Sequence, residues 1–386
     1  MRIAVIGSKG LPPHQGGIEH HCAEVYSRLA KKGHLVDLFG RSSYTGLSWR
    51  DRFAYQGIRV MSMPGSGLRG VDALTSSAMS AALSSLLVYD VVHFHALGPS
   101  LWTWLPRLAG SAKVVVTCHG LDWQRSKWGK RSSYLIHLGE KAAVRFADHI
   151  TVVSDDLQEY FDTVYDQRTT YIGNAPANYS DCDDTFSYGK SLGLNPQKYI
   201  LFLGRLVPEK CPDLLIQAFN AAQMNDWKLV LAGGISDTSK FAKSLVHLAK
   251  NNPNILFPGE LHGAKLSEIV RNAGLFTLPS NLEGQPLALL EAMREGIPIV
   301  ASDIPVHQKI LGSGDRGLLF SVNDLTSCAT QLQWATENNL AMLDKAKLAQ
   351  QYVNTNHNWD QVANDYLRVY EGLQESTYQP QHMTTA

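Results

Sequence analysis

The sequence predicts an α/β protein made of two doubly wound, Rossmann-like domains facing each other across a cleft. Three observations carry that reading. Short apolar runs alternate with amphipathic stretches, the alternation occurs twice, and a break rich in Asn, Asp, Pro, Ser and Gly separates the two series at 174–197. Buried strands alternating with helices are the pattern of a parallel sheet covered on both faces.

Met1-Arg2 leads directly into Ile3-Ala4-Val5-Ile6-Gly7, too short for a signal-peptide core and better read as a first strand. Further strands are expected at 34–39, 57–63, 90–95, 113–118 and 149–154, with helices at 18–32, 72–87 and 133–147. The stretch 73–89 is broken by five serines, so no segment is apolar enough to span a bilayer. The second series starts at 198–204 and continues at 228–233, 254–257, 274–278 and 297–301, with helices near 212–223, 238–250, 265–273 and 286–295. The domains are therefore expected at 1–180 and 190–357. The amphipathic stretch 358–376 needs a partner for its apolar side and is expected to pack back on the first domain.

Composition excludes several classes of function. The 386 residues carry 35 Lys plus Arg and 35 Asp plus Glu, so neither nucleic acid nor an anionic membrane is expected to bind the whole surface. The neutrality is a sum: residues 1–174 carry +5 and residues 175–386 carry −5. Five dispersed cysteines without CxxC spacing argue against a disulfide framework or a Cys-based zinc site and suit a reducing, cytoplasmic compartment.

In open α/β sheets ligands bind beyond the carboxyl ends of the strands, so the loops after strands are where chemistry is expected. The first such loop, Gly7 to Glu19, contains Gly16-Gly17 directly before a helix, where backbone amides and the helix dipole favour a phosphate. It fits neither GxGxxG nor GxxxxGK[ST], and it also reads as a plain glycine-rich connector. After 198–204 comes Gly204-Arg205-Leu206-Val207-Pro208-Glu209-Lys210; Arg205 and Lys210 suit a diphosphate clamp, or a surface charge pair at the start of the next helix. The segment after 113–118 reads Thr117-Cys118-His119-Gly120, and a histidine at a strand end is placed to meet a sugar hydroxyl or a reacting centre. Lys127, Lys130 and Arg131, interleaved with Trp123 and Trp128, suit a lipid headgroup or phosphorylated acceptor, and equally a solvated basic turn.

The most informative segment is Pro279 to Met293. Pro286 fits the first helical position, which leaves amides near 285–288 pointing outward from the helix start. Glu283 precedes that start and Glu291 lies in the second turn. A retaining glycosidase pair sits about 5–5.5 Å apart and an inverting pair about 6.5–9.5 Å apart. Glu291 lies roughly 7–8 Å along the axis from residue 286, and the loop to Glu283 adds to that. Two hydroxyl-binding carboxylates flanking a phosphate site fit better than an acid/base pair.

Taken together, Gly16-Gly17-Ile18-Glu19, His119-Gly120, Gly204-Arg205 with Glu209-Lys210, and above all Glu283-x7-Glu291 resemble the family-4 glycosyltransferases, as does 357–372 with Trp359-Asp360, Tyr366 and Tyr370. The resemblance covers nearly the whole chain in order. It implies a GT-B fold, a nucleotide-diphospho-sugar donor, retention of anomeric configuration, and no metal or other cofactor. Residue by residue, it implies Arg205 and Lys210 on the donor diphosphate and Glu283 on sugar hydroxyls. The amides of Gly284, Gln285 and Leu287, with Pro286 between them, would lie near sugar and phosphate, and Glu291 would hold the ribose. His119 is implied beside the reacting sugar, and Gly16 and Gly17 near the phosphate. The implied partners are a nucleotide sugar and a saccharide or lipid-linked acceptor, with peripheral attachment at the inner membrane face in polysaccharide or glycolipid assembly. Two positions depart from the family pattern: Asn174 is followed by Ala175-Pro176 rather than Gly, and 306–310 lacks a Glu often found there.

Asp181-Cys182-Asp183 spells a DxD metal motif but lies in the polar break rather than at a strand end. His93 and His95 share one strand face, with no third ligand near in sequence, so a cleft or core role is favoured over zinc. A nucleotide-sugar epimerase of the same plan and a catalytically silent binding protein remain alternatives. A nicotinamide dehydrogenase lacks its GxGxxG turn.

Overall fold

A computed structural model describes residues 1–14, 16–49, 51–65, 71–110, 112–125, 129–182, 185–234 and 239–375. The chain divides into two compact units, one comprising the described residues of Met1–Gln124, Gly129–Asn174 and the segment from Trp359, the other Arg125 and the described residues of Ala175–Asn358.

In the first unit the strands are β1 (Arg2–Ile6), β2 (Leu35–Arg41), β3 (Arg52–Tyr55), β4 (Ile58–Met63), β5 (Val91–His95), β6 (Lys113–Cys118), β7 (His149–Val152) and β8 (Thr170–Tyr171). They form one sheet in the order β3-β4-β2-β1-β5-β6-β7-β8, parallel except for the β3–β4 pair. Chain order reverses between β1 and β5, and there the loops after both strands meet. Gly7 makes this possible: its φ is +106°, and a Cβ there would stand 2.1 Å from the His95 carbonyl oxygen. The helix Trp359–Glu375 returns to this unit after the whole second unit has been threaded, burying Trp359, Val362, Ala363, Tyr366 and Tyr370. An ion pair from Arg28 to Asp360, 2.8 Å, joins it to the helix Gly17–Lys31.

The second unit has β9 (Tyr199–Leu203), β10 (Lys228–Ala232), β11 (Ile255–Gly259), β12 (Leu275–Leu278), β13 (Ile299–Ser302) and β14 (Leu318–Phe320). The sheet order is β11-β10-β9-β12-β13-β14, all parallel, which is the order 3-2-1-4-5-6 of a dinucleotide-type doubly wound sheet. Tyr199 to Phe202 and Leu229 to Ala232 are fully buried because helices cover both faces.

Three features differ from the sequence expectation. The pair β3–β4 is antiparallel, and β3, four residues of half-buried edge strand, carries too short a pattern to read from sequence. The break at 174–197 is not wholly a linker: Phe186 and Leu194 are buried in the second unit's core, Phe186 stacks on Tyr199, and 187–191 is helical. Pro286 sits at the N-cap, with Leu287 the first helical residue. At φ −77° and ψ 107° its ring needs no amide hydrogen, and its carbonyl accepts from Leu289 and Leu290.

Candidate functional site

The second unit gathers its chemistry at its own switch point, where β9 and β12 lie side by side. A Cβ on Gly233 would stand 1.8 Å from the Gly204 carbonyl oxygen, so the loops after β9 and β10 pass backbone against backbone. The Lys210 stem lies over Gly204, and its Nζ donates to Glu283 Oε1 at 2.6 Å. Ser280 Oγ donates to the same oxygen at 2.8 Å, and the Asn281 amide donates to the Glu209 carbonyl at 3.0 Å. Lys210 and Glu283, 14% and 12% exposed at their side chains, thus tie the two loops together.

Burial acts to raise the Glu283 carboxyl, but Lys210, by charge and by hydrogen bond, together with His307 and Ser280, outweighs it and holds the group below its usual value. His307 is fully buried on the helix Pro305–Leu311 and is pushed down to about 4, by burial above all, with Glu283 opposing. Its Nδ1 lies 3.0 Å from the Ser302 carbonyl, so this nitrogen carries the proton, while Nε2 has no partner among the described residues.

Gly284, Gln285 and Pro286 lead from Glu283 into the helix Leu287–Arg294, and Arg205 directly follows the turn at Gly204. Glu291, one turn into that helix, is engaged differently from Glu283: its Oε2 accepts from Tyr179 OH at 2.8 Å. Burial, then the Glu291 charge, drives the Tyr179 hydroxyl well above its ordinary pKa, so it stays protonated and donates. The two glutamates therefore have separate partners, as two binding groups have. Sequence reasoning does not single out Tyr179, Ser280 or His307; the one signal at Tyr179 is an aromatic ring within a polar break.

In the first unit, Gly16 caps the helix Gly17–Lys31, and the carboxylate met there belongs to the protein. Glu19 Oε1 accepts from the Lys9 amide at 2.9 Å, and a Cβ on Gly16 would stand 2.2 Å from Glu19 Oε2. An anion approaching Gly16 and Gly17 meets that carboxylate.

His119 lies at the end of β6 in a group of histidines that the sequence did not assemble. Its Nε2 is 2.9 Å from His95 Nδ1, and the two rings stack with centroids 5.2 Å apart. His93 stacks on His95 at 4.3 Å, and His21, from the helix Gly17–Lys31, stands edge-on to His119 at 4.9 Å. A third imidazole is thus supplied by the fold where the sequence offered only a pair. Ring nitrogens of His21, His95 and His119 lie within 4.8 Å of one another, a possible metal grouping. His95 Nδ1 and His119 Nε2 are already hydrogen-bonded to each other.

Of the remaining motifs, Lys127, Trp128 and Asp183 lie outside the described residues. Lys130 and Arg131 are exposed at the start of the helix Lys130–Phe146. Trp123 corrects the interleaved basic-aromatic reading: it turns inward, its Nε1 donating to fully buried Glu140 at 2.8 Å. Among the described residues no helix is long and apolar enough to cross a membrane.

Two Rossmann-like units, with an Arg/Lys/Glu loop at the switch point of the second, define a glycosyltransferase of the GT-B fold. Residues 186–359 match the family model described as glycosyl transferases group 1, and residues 15–175 match glycosyltransferase family 4. The chain belongs to this glycosyltransferase family. It is 24% identical over 353 residues to a D-inositol 3-phosphate glycosyltransferase of Corynebacterium glutamicum, covering 83% of this chain and 84% of that one. Among solved structures it resembles sucrose-phosphate synthase of Thermosynechococcus elongatus, with TM-score 0.83, 20% identity and coverage of 97% and 99%. It also resembles Anabaena HepE in complex with UDP-glucose, with TM-score 0.79, 18% identity and coverage of 96% and 100%.

Proposed function

We propose that this glycosyltransferase takes a sugar from a nucleotide-diphospho-sugar and delivers it to an acceptor hydroxyl with retention of anomeric configuration. The observation that carries the reading is the Lys210–Glu283 contact at the β9/β12 switch point, flanked by Arg205 and the helix start at Leu287. Cations and outward amides are what a departing diphosphate needs, because negative charge grows on it as the glycosidic bond breaks. Glu283, held ionised by Lys210, is an acceptor for sugar hydroxyls and a poor proton donor, which separates it from a glycosidase acid. Glu291 takes the ribose hydroxyls beside Tyr179, and His119 of the first unit acts on the reacting sugar. Retention follows the family resemblance: the leaving phosphate helps remove the acceptor proton, with no covalent enzyme intermediate and no resident metal. The UDP-glucose complex of the HepE relative supports a nucleotide-sugar donor. The D-inositol 3-phosphate enzyme and the +5 first half support an acceptor bearing negative charge, within polysaccharide or glycolipid assembly at the inner membrane face.

The test is a thermal-shift panel of nucleotide sugars on the wild type and on Arg205→Ala, followed by proton NMR of the product's anomeric centre. Stabilisation by one nucleotide sugar, lost in the variant, with donor and product of like configuration, is the expected result. No response from the wild type, or an equal response from the variant, overturns the donor site. An inverted product overturns retention.

A further inference from the structure

His119 is backed by an unbroken chain of short polar contacts running through the first unit to its last helix. From His119 Nε2 it passes to His95 Nδ1 at 2.9 Å, then from His95 Nε2 to Tyr26 OH at 2.7 Å. Tyr26 OH is also 2.8 Å from His93 Nδ1, and Tyr370 OH approaches that same nitrogen at 2.6 Å. The far side of His93 is closed as well. Its Nε2 is 2.7 Å from Thr117 Oγ1, which is 2.7 Å from Thr151 Oγ1, and Thr151 donates to the Val116 carbonyl at 3.4 Å. Tyr26, His93, His95, Tyr366 and Tyr370 are all 0% exposed, so water has no access to satisfy a misdirected proton.

The direction of the chain follows from counting protons. A neutral imidazole has one N–H and one lone pair, and a hydroxyl has a single hydrogen to give. The Val116 carbonyl can only accept, so Thr151 donates to it, Thr117 donates to Thr151, and Thr117 accepts both from His93 Nε2–H and from the Tyr366 hydroxyl, 3.2 Å away. His93 Nδ1 is then a lone pair with two hydroxyls competing for it. If Tyr370 takes it, by the shorter contact, the Tyr26 hydrogen goes to His95 Nε2. His95 Nδ1–H then donates to His119 Nε2, and the proton of neutral His119 sits on Nδ1. If Tyr26 takes it instead, every later proton reverses and His119 is protonated on Nε2.

We propose that Tyr370 is a positioning residue: its hydroxyl occupies His93 Nδ1 and thereby sets, through Tyr26 and His95, which ring nitrogen of His119 carries the proton. The final helix, remote in sequence from β6, is then part of the catalytic apparatus and not only a cover for the sheet. Neutral His93 and His95 are what the relay requires, and burial, the largest influence on both, holds them well below their ordinary pKa. The inference rests on the reading of His119 as the group acting on the reacting sugar, and only for its effect on rate. The proton's position is readable by itself.

The experiment uses the full chain with 15N-labelled histidine and long-range proton–nitrogen correlation spectra, with His119→Gln assigning the signals. In the wild type His119 is expected with a protonated Nδ1 and a bare Nε2. Tyr370→Phe is expected to reverse or mix the two, and to lower transfer turnover by about 10-fold or more with the donor KM little changed, since a histidine in the wrong tautomer fails while binding persists. Tyr26→Phe, which removes the hydrogen that reaches His95, gives a second route to the same spectral change; melting curves establish that each variant is folded. A wild-type His119 protonated on Nε2, or a Tyr370→Phe variant with wild-type spectrum, overturns the proposal. A tautomer that moves in Tyr370→Phe while His119→Gln retains full transfer leaves the relay standing and overturns the role given to His119 under the proposed function.

Discussion

Lys210 Nζ stands 2.6 Å from Glu283 Oε1, joining the loop after β9 to the loop after β12 at the point where strand order reverses. Seventy-three residues separate the partners in sequence, and one contact fixes both loops around the ends of two adjacent parallel strands.

Removing the cation leaves a nearly buried carboxylate without its main counter-charge. Lys210→Ala is expected to lower unfolding free energy at pH 7 by about 2–3 kcal/mol, below the range for a fully buried pair because both side chains keep some solvent. The depressed Glu283 pKa sets the sign with pH. Its contribution is present above the unfolded carboxylate pKa and is lost as pH falls through the folded value, so wild type and variant converge in acid. Urea unfolding of both proteins at pH 7 and near pH 3 reads this, and an equal gap at both pH values contradicts it.

The buried histidines give a second acid dependence of the same sign. His21 and His307 are pushed down to about 4, and His93 and His95 well below their ordinary value, in each case by burial above all. Between about pH 6.5 and 4 the unfolded chain binds protons that the folded chain refuses, so stability rises with pH across that window. Each such histidine adds a slope of up to about 1.4 kcal/mol per pH unit. Denaturation midpoints measured from pH 7 to 4.5 should fall steadily, and His307→Asn should flatten the curve.

Glu140 is fully buried and accepts from Trp123 Nε1 at 2.8 Å and from the hydroxyls of Tyr160 and Tyr165. Glu140→Leu leaves three donors without an acceptor and is expected to cost about 3 kcal/mol. Glu140→Gln, which keeps an acceptor oxygen, should cost less. Guanidinium titrations of the two variants rank them, and the reverse order would refute the account.

At Gly233 even a methyl group collides with backbone, 1.8 Å from the Gly204 carbonyl oxygen. Gly233→Ala is expected to destabilise by about 2 kcal/mol or more and to displace the Arg205 loop. Its melting temperature should drop, and its thermal response to a nucleotide sugar should weaken beyond what that drop explains. Gly259→Ala, where no atom lies within 4 Å of the added carbon, is the comparison, though its own φ of +79° adds some strain.

Alternation of apolar strands with amphipathic helices was legible because parallel strands are buried on both faces, so their runs are continuous and hard to mistake. Val91 to His95 and Tyr199 to Leu203 show this. β3 and β14 were not legible, because four and three residues at a sheet edge carry little hydrophobic pattern. The helices Leu325–Glu337 and Asn339–Asn356 are hard to read for a related reason: their apolar faces are narrow and interrupted by Gln, Asn and Thr.

By itself the sequence determined two doubly wound series, the loops that carry Arg205, Lys210 and Glu283, the helix that carries Glu291, and the family, because strand periodicity and short motifs are local properties of the chain. Only the tertiary structure decided the partners. It gave Lys210 to Glu283 and Tyr179 to Glu291, and it gathered His21, His93, His95 and His119 with Tyr26 and Tyr370. The hydrogen-bonded pairs among them join residues from 24 to 277 positions apart. They follow from which strands lie side by side at each switch point and from the return of the last helix, and neither is written in any local stretch of residues.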